Sequence, residues 1–338
     1  VNVAIVGAGA IGGLLGAYLS RSGEDVILIA RGPHLAAMRS HGVSVRSAGK
    51  EFTARPECTD DMRAINGAEV VFLTLKAHSI PAVADTIGAN LADGACIVGA
   101  QNGIPWWYFE DRHLEAVDPG GVIARSIPYG KVVGCIAYPA AQVVEPGVIE
   151  HLEGNRFTLG EPDGSKSERV QAISSMLVKA GLKAPVQLRI RNEIWLKLLG
   201  NATLNPVSAL TRASLADMVT SPITRDLVRT LMEEVDAVAT ALGVEVPLTI
   251  EKRMTGAAAT GQHKTSMLQD LEAGRPLEVD ALVGAVVELA GGAGVPVPSL
   301  SVVYRLVKLL DERTRAGASR ALLQDTGTGA AGLAGVPS

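Results

Sequence analysis

Short apolar runs and longer amphipathic stretches alternate through the first hundred residues. VNVAIV (1–6), DVILIA (25–30), AEVVFLTL (68–75) and ACIVGA (95–100) are continuous apolar runs rich in Val and Ile. Each is too short for a buried helix and predicts a strand buried on both faces. Helical patterning fills the gaps: LLGAYLSRSG ending near Gly23, a stretch around 33–41, and SIPAVADTIGANL. VSVRS and EFTARP read as a small hairpin. Strands alternating with helices imply a parallel sheet covered on both faces. From about 120 the texture changes. GGVIARS and KVVGCIAYPAAQVVEPGVIEHLEGNRFTLG predict several strands with antiparallel pairing that extend the first domain. An amphipathic helix follows at 167–181, and beyond LKAPVQL the pattern is helical: 191–204, 222–242, 247–259, 276–292 and 299–315. The expected division is 1–187, 188–316, and a Gly/Ala-rich tail, 317–338, expected to be disordered. No internal repeat is visible.

One helix breaks the binary pattern. EIWLKLLGNATLNP (193–206) places Glu193, Lys197, Asn201 and Asn205 four residues apart, with apolar residues almost everywhere between. A polar stripe at that spacing is usually a solvated face. Asn, however, is a poor helix former that competes for the backbone. The apolar surface here is also wider than one stripe. A buried polar seam needs partners from the protein or from a ligand, and this stretch alone leaves the solvated and ligand-lining readings open.

Composition narrows the function classes. The chain has 338 residues, 47% hydrophobic and 20% charged, as in a folded protein of two domains. A net charge of −4 argues against nucleic acid, which needs a basic footprint. Cys58, Cys96 and Cys135 are odd in number and widely spaced, with no CxxC. That pattern excludes a zinc ribbon or disulfide framework and suits a reducing compartment; no metal site is expected. No apolar run reaches membrane-spanning length. The first strand starts so early that no signal peptide is expected, and the cytoplasm is the expected location.

The candidate chemistry lies at strand ends. GAGAIG is a GxGxxG turn at Gly7, Gly9 and Gly12, directly after a strand and opening a helix. In that context Gly7 permits the tight turn, Gly9 admits a pyrophosphate, and Gly12 allows close packing of helix on strand. Ala10 and Ile11, between them, put their backbone at the helix N-terminus where phosphate binds. The second strand ends in Ala30-Arg31, where enzymes selecting NAD carry an acid. A guanidinium suits a 2′-phosphate, so NADP(H) is the expected cofactor. TLKAHS sets Lys76, and AQNG sets Asn102, just past strand ends where ligands bind in open α/β sheets. In HKTSMLQDLEAGRPLEVD, Ser266 and Glu278 bracket a turn with Gly274 and Pro276. Asp270, Glu278 and Asp280 read on their own as caps and first-turn charges.

Together, GAGAIGG, TLKAHS, QNG, WLKLLGNATLNP and TSMLQDLEAGRPLEVDAL, in this order across residues 7 to 282, resemble the NADPH-dependent ketopantoate reductase (2-dehydropantoate 2-reductase) family. The Lys–Asn–Asn helix makes the combination specific, because dinucleotide-binding domains in general lack it. The resemblance implies an α/β Rossmann-type N-terminal domain with an antiparallel extension, an all-α C-terminal domain, and an active site in the cleft between them. It implies reduction of a 2-keto acid, 2-dehydropantoate, to pantoate, on the route to pantothenate and coenzyme A. Lys197 matches the general acid, and Glu278 the acidic residue that organises substrate and lysine. Asn201 and Asn205 match side chains at the substrate hydroxyl region, and Ser266 a substrate-carboxylate contact. Lys76 and Asn102 match residues near nicotinamide and substrate. A homodimer is compatible with these features.

One segment departs from the family pattern. After Gly103 comes IPWWYF (104–109), where the family has smaller residues. The rings could cap a larger or flatter 2-keto acid, or anchor the loop against the helical domain. Other readings of the same fold plan are an opine- or hydroxyacid-type dehydrogenase and a non-catalytic NADP-binding sensor. The Lys197/Glu278 pair argues against a sensor, which has no use for a proton donor.

Overall fold

The computed structural model describes the backbone of residues 1–327 and the side chains of residues 1–316. It divides into two compact units, Val1–Lys197 and Leu198–Ser338. The expected disordered tail begins at 317; the last helix carries the backbone on to Gly327, and 328–338 lie outside the described residues.

The first unit runs β1 (Asn2–Val6), α1 (Ala10–Arg21), β2 (Asp25–Ile29), α2 (Gly32–His41), β3 (Val43–Ser47), β4 (Lys50–Ala54), β5 (Glu57–Thr59), β6 (Val70–Leu73), α3 (Ala84–Asn90), β7 (Cys96–Gly99), α4 (Val122–Ser126), β8 (Val132–Ala137), β9 (Ala140–Glu145), β10 (Val148–Glu153), β11 (Phe157–Gly160), α5 (Glu168–Lys179) and most of α6 (Ile190–Asn201). The main sheet has the order β11-β8-β7-β6-β1-β2-β5. Every pairing in it is parallel except β8 with β11. β6, β7 and β8 are buried at every position, as expected for strands covered on both faces. The strand order reverses between β1 and β6, so the carboxyl ends of these two strands open the crevice where such sheets bind ligands.

The extension after residue 120 is shared between two sheets. β8 joins the main sheet in parallel, and β11 returns antiparallel beside it. β9 and β10 instead pair with each other and with the β3–β4 hairpin, giving a second sheet β4-β3-β10-β9. β10 lies parallel to β3 there, so pairing in the extension is not purely antiparallel. α1 packs between the sheets, against β2 on one side and β9 and β10 on the other.

A row of glycines seats the aromatic loop. Gly99, Gly134 and Gly160 are direct cross-strand partners on β7, β8 and β11. A Cβ on Gly134 would meet the Trp107 ring at 2.5 Å, one on Gly99 would meet Trp107 Nε1 at 2.8 Å, and one on Gly160 would meet Ile190 Cβ at 2.8 Å. Only glycines let the ring and the start of α6 lie this close to the sheet. Trp107 is 1% and Tyr108 2% exposed. Tyr108 also fastens α6: its hydroxyl accepts from Trp195 Nε1 at 2.7 Å, and its carbonyl from Arg191 Nη2 at 2.8 Å. The packing of Trp107 and Tyr108 is thus accounted for inside the first unit. The first compact unit accordingly runs on through the start of α6 to Lys197.

The second unit is helical: α7 (Leu204–Thr211), α8 (Leu215–Thr220), α9 (Arg225–Ala241), α10 (Ile250–Ala259), α11 (Ser266–Glu272), α12 (Ala285–Ala293) and α13 (Pro298–Gly327). α9 buries Val228, Leu231, Met232, Val235, Val238 and Ala239 at helical spacing. Side-chain caps start α8 (Ser214, with Asp217 completing a capping box), α10 (Thr249) and α11 (Thr265). The stretch expected as one helix, 191–204, is followed at once by α7. Pro206 has no N–H to offer the Ala202 carbonyl and its ring crowds that carbonyl, so the ladder breaks at 202–203 and restarts. The stretch expected as a helix from 276 begins with a π-helical turn, Asp280–Gly284, closed by Ala285 N–H donating to the Asp280 carbonyl.

Candidate active site

The GxGxxG turn is built as its spacing predicts. Gly7 has φ +101°, and a Cβ there would meet the Leu75 backbone N at 2.8 Å. A Cβ on Gly12 would meet the Gly7 carbonyl oxygen and Thr74 Oγ1, both at 2.4 Å, whereas Gly9 faces open space. Thr74 Oγ1 donates to the Gly7 carbonyl at 2.8 Å, tying the turn to the end of β6. α1 begins at Ala10 and Ile11 with no side-chain cap and no acid in its first turn, so its N-terminal amides and dipole face outward. A cavity of about 900 Å³ opens here, lined by Gly7, Gly9, Arg31, His34, Asp60 and Lys76 among others.

These residues fit a dinucleotide: glycine backbone and a helix N-terminus for the pyrophosphate, and Arg31 exposed beyond β2. Asp60, the acid lining this cavity, is paired with Arg39 at 2.9 Å. His34 Nδ1 accepts from Gly147 N–H at 3.0 Å, so the neutral ring carries its proton on Nε2. Burial holds the His34 pKa below the usual histidine value. The turn between β9 and β10 thus braces the cavity wall.

Lys197 lies at the carboxyl ends of β7 and β8. Its Nζ donates to Asn102 Oδ1 at 2.6 Å and to the Ala137 carbonyl at 2.5 Å. An ammonium only donates, so the Asn102 amide is oriented unambiguously. Gln101 Nε2 donates to the Leu73 carbonyl at 2.6 Å and pins the Asn102 loop to the end of β6. The Tyr138 ring centroid is 5.7 Å from the ammonium, within cation–π range. Tyr138 OH donates to Glu193 Oε2 at 3.1 Å, and Arg156 lies over the ring at 3.8 Å. Burial, with Glu193 beside it, pushes the Tyr138 phenol up to about 12. Burial likewise pushes the Cys135 thiol to about 12, which makes it unreactive. The half-buried ammonium, held by Asn102 and the Ala137 carbonyl, is a donor that can protonate an oxygen at the carboxyl ends of β7 and β8.

The second unit carries the other candidates. Asn201 ends α6, one turn after Lys197. Asn205 is buried in α7, and its Nδ2 is 3.5 Å from Ser266 Oγ, exposed at the start of α11. Two side chains far apart in sequence are therefore neighbours. Glu278 is half-buried just before the π turn, a distortion frequent at functional sites. Buried Asp311 holds the preceding residue, accepting from Leu277 N–H at 2.8 Å and pairing with Arg315 at 2.7 Å.

Comparison with known proteins identifies the family. The family profile for ketopantoate reductase PanE/ApbA matches residues 3–164, and its C-terminal counterpart residues 189–311. A 2-dehydropantoate 2-reductase from Mesorhizobium japonicum is 46% identical over 318 residues, covering 92% of this chain and 98% of its own. The chain belongs to the ketopantoate reductase family. A crystal structure assigned to the ketopantoate reductases, from Ralstonia solanacearum MolK2, superimposes with a TM-score of 0.88 at 38% identity, over 93% of this chain and 98% of its own. The 2-dehydropantoate 2-reductase structure from Geobacter metallireducens GS-15 gives a TM-score of 0.81 at 27% identity, over 91% and 99%. The protein is accordingly an NAD(P)-dependent oxidoreductase acting on a CH–OH group.

Within this family member, the structure gathers most of the sequence-predicted residues, Asn201 and Glu278 excepted, into three local groups. Gly7, Gly9, Arg31 and Lys76 line one cavity, with Gly12, Ala10 and Ile11 shaping the helix that opens onto it. Asn102 meets Lys197, and Asn205 meets Ser266. Sequence reasoning missed Tyr138, Arg156 and His34. His34, three residues after Arg31, could have been found by asking what else faces the end of β2. Tyr138 leaves no local signal, since its partners lie on β11's approach and on α6. Among the described residues no cluster of His, Cys, Asp and Glu could hold a metal, and no helix is long and apolar enough to cross a membrane.

Proposed function

We propose that this protein reduces 2-dehydropantoate to pantoate with NADPH, a step that feeds pantothenate and coenzyme A synthesis in the cytoplasm. The observation that carries this reading is Lys197, a lysine ammonium held by Asn102 and the Ala137 carbonyl at the carboxyl ends of β7 and β8, on the same edge of the sheet as the dinucleotide turn. When bound, the nicotinamide supplies a hydride to C2 of the keto acid. The developing alkoxide is stabilised by the Lys197 ammonium and takes a proton from it, so the ketone becomes a hydroxyl with hydride and proton both accounted for. Asn102 and Ala137 orient that ammonium. Glu278 is the carboxylate that keeps substrate and lysine in order, Asn201 and Asn205 bind the substrate hydroxyl region, and Ser266 its carboxylate; these four roles rest on the family resemblance.

NADPH is favoured over NADH by Arg31, at the end of β2 where no acid stands. Asp60, the acid lining the same cavity, is already paired with Arg39. A homodimer is the proposed assembly. Val302, Leu306 and Leu309, 58%, 52% and 57% exposed, form one apolar row on α13. The deciding experiment follows NADPH absorbance on addition of 2-dehydropantoate and identifies the product. Oxidation with formation of pantoate supports the reading; oxidation only with bulkier 2-keto acids, or none, rejects it.

A further inference from the structure

The catalytic face of α6 is fastened to the sheet at a second point that the family roles do not include. Tyr138 directly follows Ala137, whose carbonyl accepts from Lys197. Its phenol donates to Glu193, one helical turn before Lys197 on α6. Residues four apart share a helix face, so the bond at Glu193 constrains the rotation of the face that carries Lys197. Tyr138 is itself held on both sides. Its backbone N–H donates to the Arg156 carbonyl at 2.9 Å, and the Arg156 guanidinium covers its ring at 3.8 Å from the centroid.

We propose that Tyr138, through Glu193, is a positioning residue that sets the azimuth of α6 and thereby the placement of the Lys197 ammonium. The inference rests on Lys197 being the proton donor. The other ties on this helix, Trp195 and Arg191 to Tyr108, fix a different side of α6 and its height above the sheet. The Tyr138–Glu193 bond lies on the Lys197 side. Side chains reach roughly 6 Å from the helix axis, so a rotation of about 20° displaces the Lys197 ammonium by about 2 Å. A displacement of about 1 Å at a reacting centre can cost about 100-fold. The phenol stays protonated, and so remains a donor, because burial pushes its pKa up to about 12.

The test is a set of variants assayed for kcat, KM, NADPH affinity and melting temperature. Y138F keeps the ring and removes only the donor. It is expected to lower kcat about tenfold or more, to leave NADPH affinity unchanged, and to change keto-acid KM by less than about threefold. E193A should match it. E193Q, whose amide oxygen still accepts from the phenol, should recover most of kcat. Y138F/E193A should be no worse than either single variant, because both remove one contact. K197A separates the two levels of the argument. If K197A retains activity, the proton-donor reading fails. If K197A is inactive while Y138F has wild-type kcat, the positioning role alone is wrong. Additive losses in the double variant, a loss in E193Q equal to that in E193A, or an effect confined to melting temperature would each overturn it.

Discussion

The polar seam Glu193, Lys197, Asn201 and Asn205 is made of residues with separate tasks. Glu193 and Lys197 hold partners in the first unit, whereas Asn205 meets Ser266 in the second. Asn201 and Asn205 are proposed to hold substrate groups remote from the reacting carbonyl. Substitution of either by Ala is therefore expected to raise keto-acid KM more than it lowers kcat; steady-state kinetics with saturating NADPH checks this, and a pure kcat loss would move them into the proton-transfer step. Arg31 gives a second residue-scale prediction. A hydrogen bond to a charged group contributes about 1.5–3 kcal/mol. Arg31→Ala should therefore weaken NADPH binding by about 10- to 100-fold and leave NADH binding nearly unchanged. Fluorescence titration with both nucleotides measures it, and an equal loss for the two would remove Arg31 from 2′-phosphate recognition.

At the scale of elements, what was legible in the sequence was local. The GxGxxG turn declares itself because strand, glycines and helix are contiguous, and Lys76 and Asn102 because each lies shortly past the end of a strand. The extension was harder to read, since the partners of β8 and β10 are set by distant segments: β10 pairs with β3 and β8 with β7. The aromatic run Trp106–Tyr108 was ambiguous for the same reason. Its seat consists of Gly99, Gly134 and Gly160, three isolated glycines that become one surface only when β7, β8 and β11 align. The π turn after Glu278 has no counterpart in periodicity. The glycine seat predicts a stability phenotype. Trp107→Ala should destabilise the protein by about 3–5 kcal/mol, and Gly134→Ala, whose Cβ would meet the ring at 2.5 Å, by about 1–3 kcal/mol through overpacking. Denaturant unfolding checks both. A Trp107→Ala protein of wild-type stability with a reordered 2-keto acid preference would instead make the ring a specificity element.

In the molecule as a whole, the dinucleotide cavity and Lys197 with Asn102 and Ala137 belong to the first unit, and Asn205, Ser266 and Glu278 to the second. The exposed row Val302, Leu306 and Leu309 carries a prediction about assembly: the wild type should sediment as a dimer and Leu306→Glu as a monomer, and a monomeric wild type would remove the dimer from the account. Reduction of 2-dehydropantoate is proposed to take its proton from Lys197. Single-turnover oxidation of enzyme-bound NADPH on mixing with 2-dehydropantoate tests it most directly, in the wild type and in Lys197→Ala. Stoichiometric pantoate is expected from the wild type, and from Lys197→Ala a rate lower by about 10²–10⁴-fold with NADPH affinity preserved. A wild type that leaves NADPH unoxidised, or a Lys197→Ala rate within about tenfold of wild type, would contradict it.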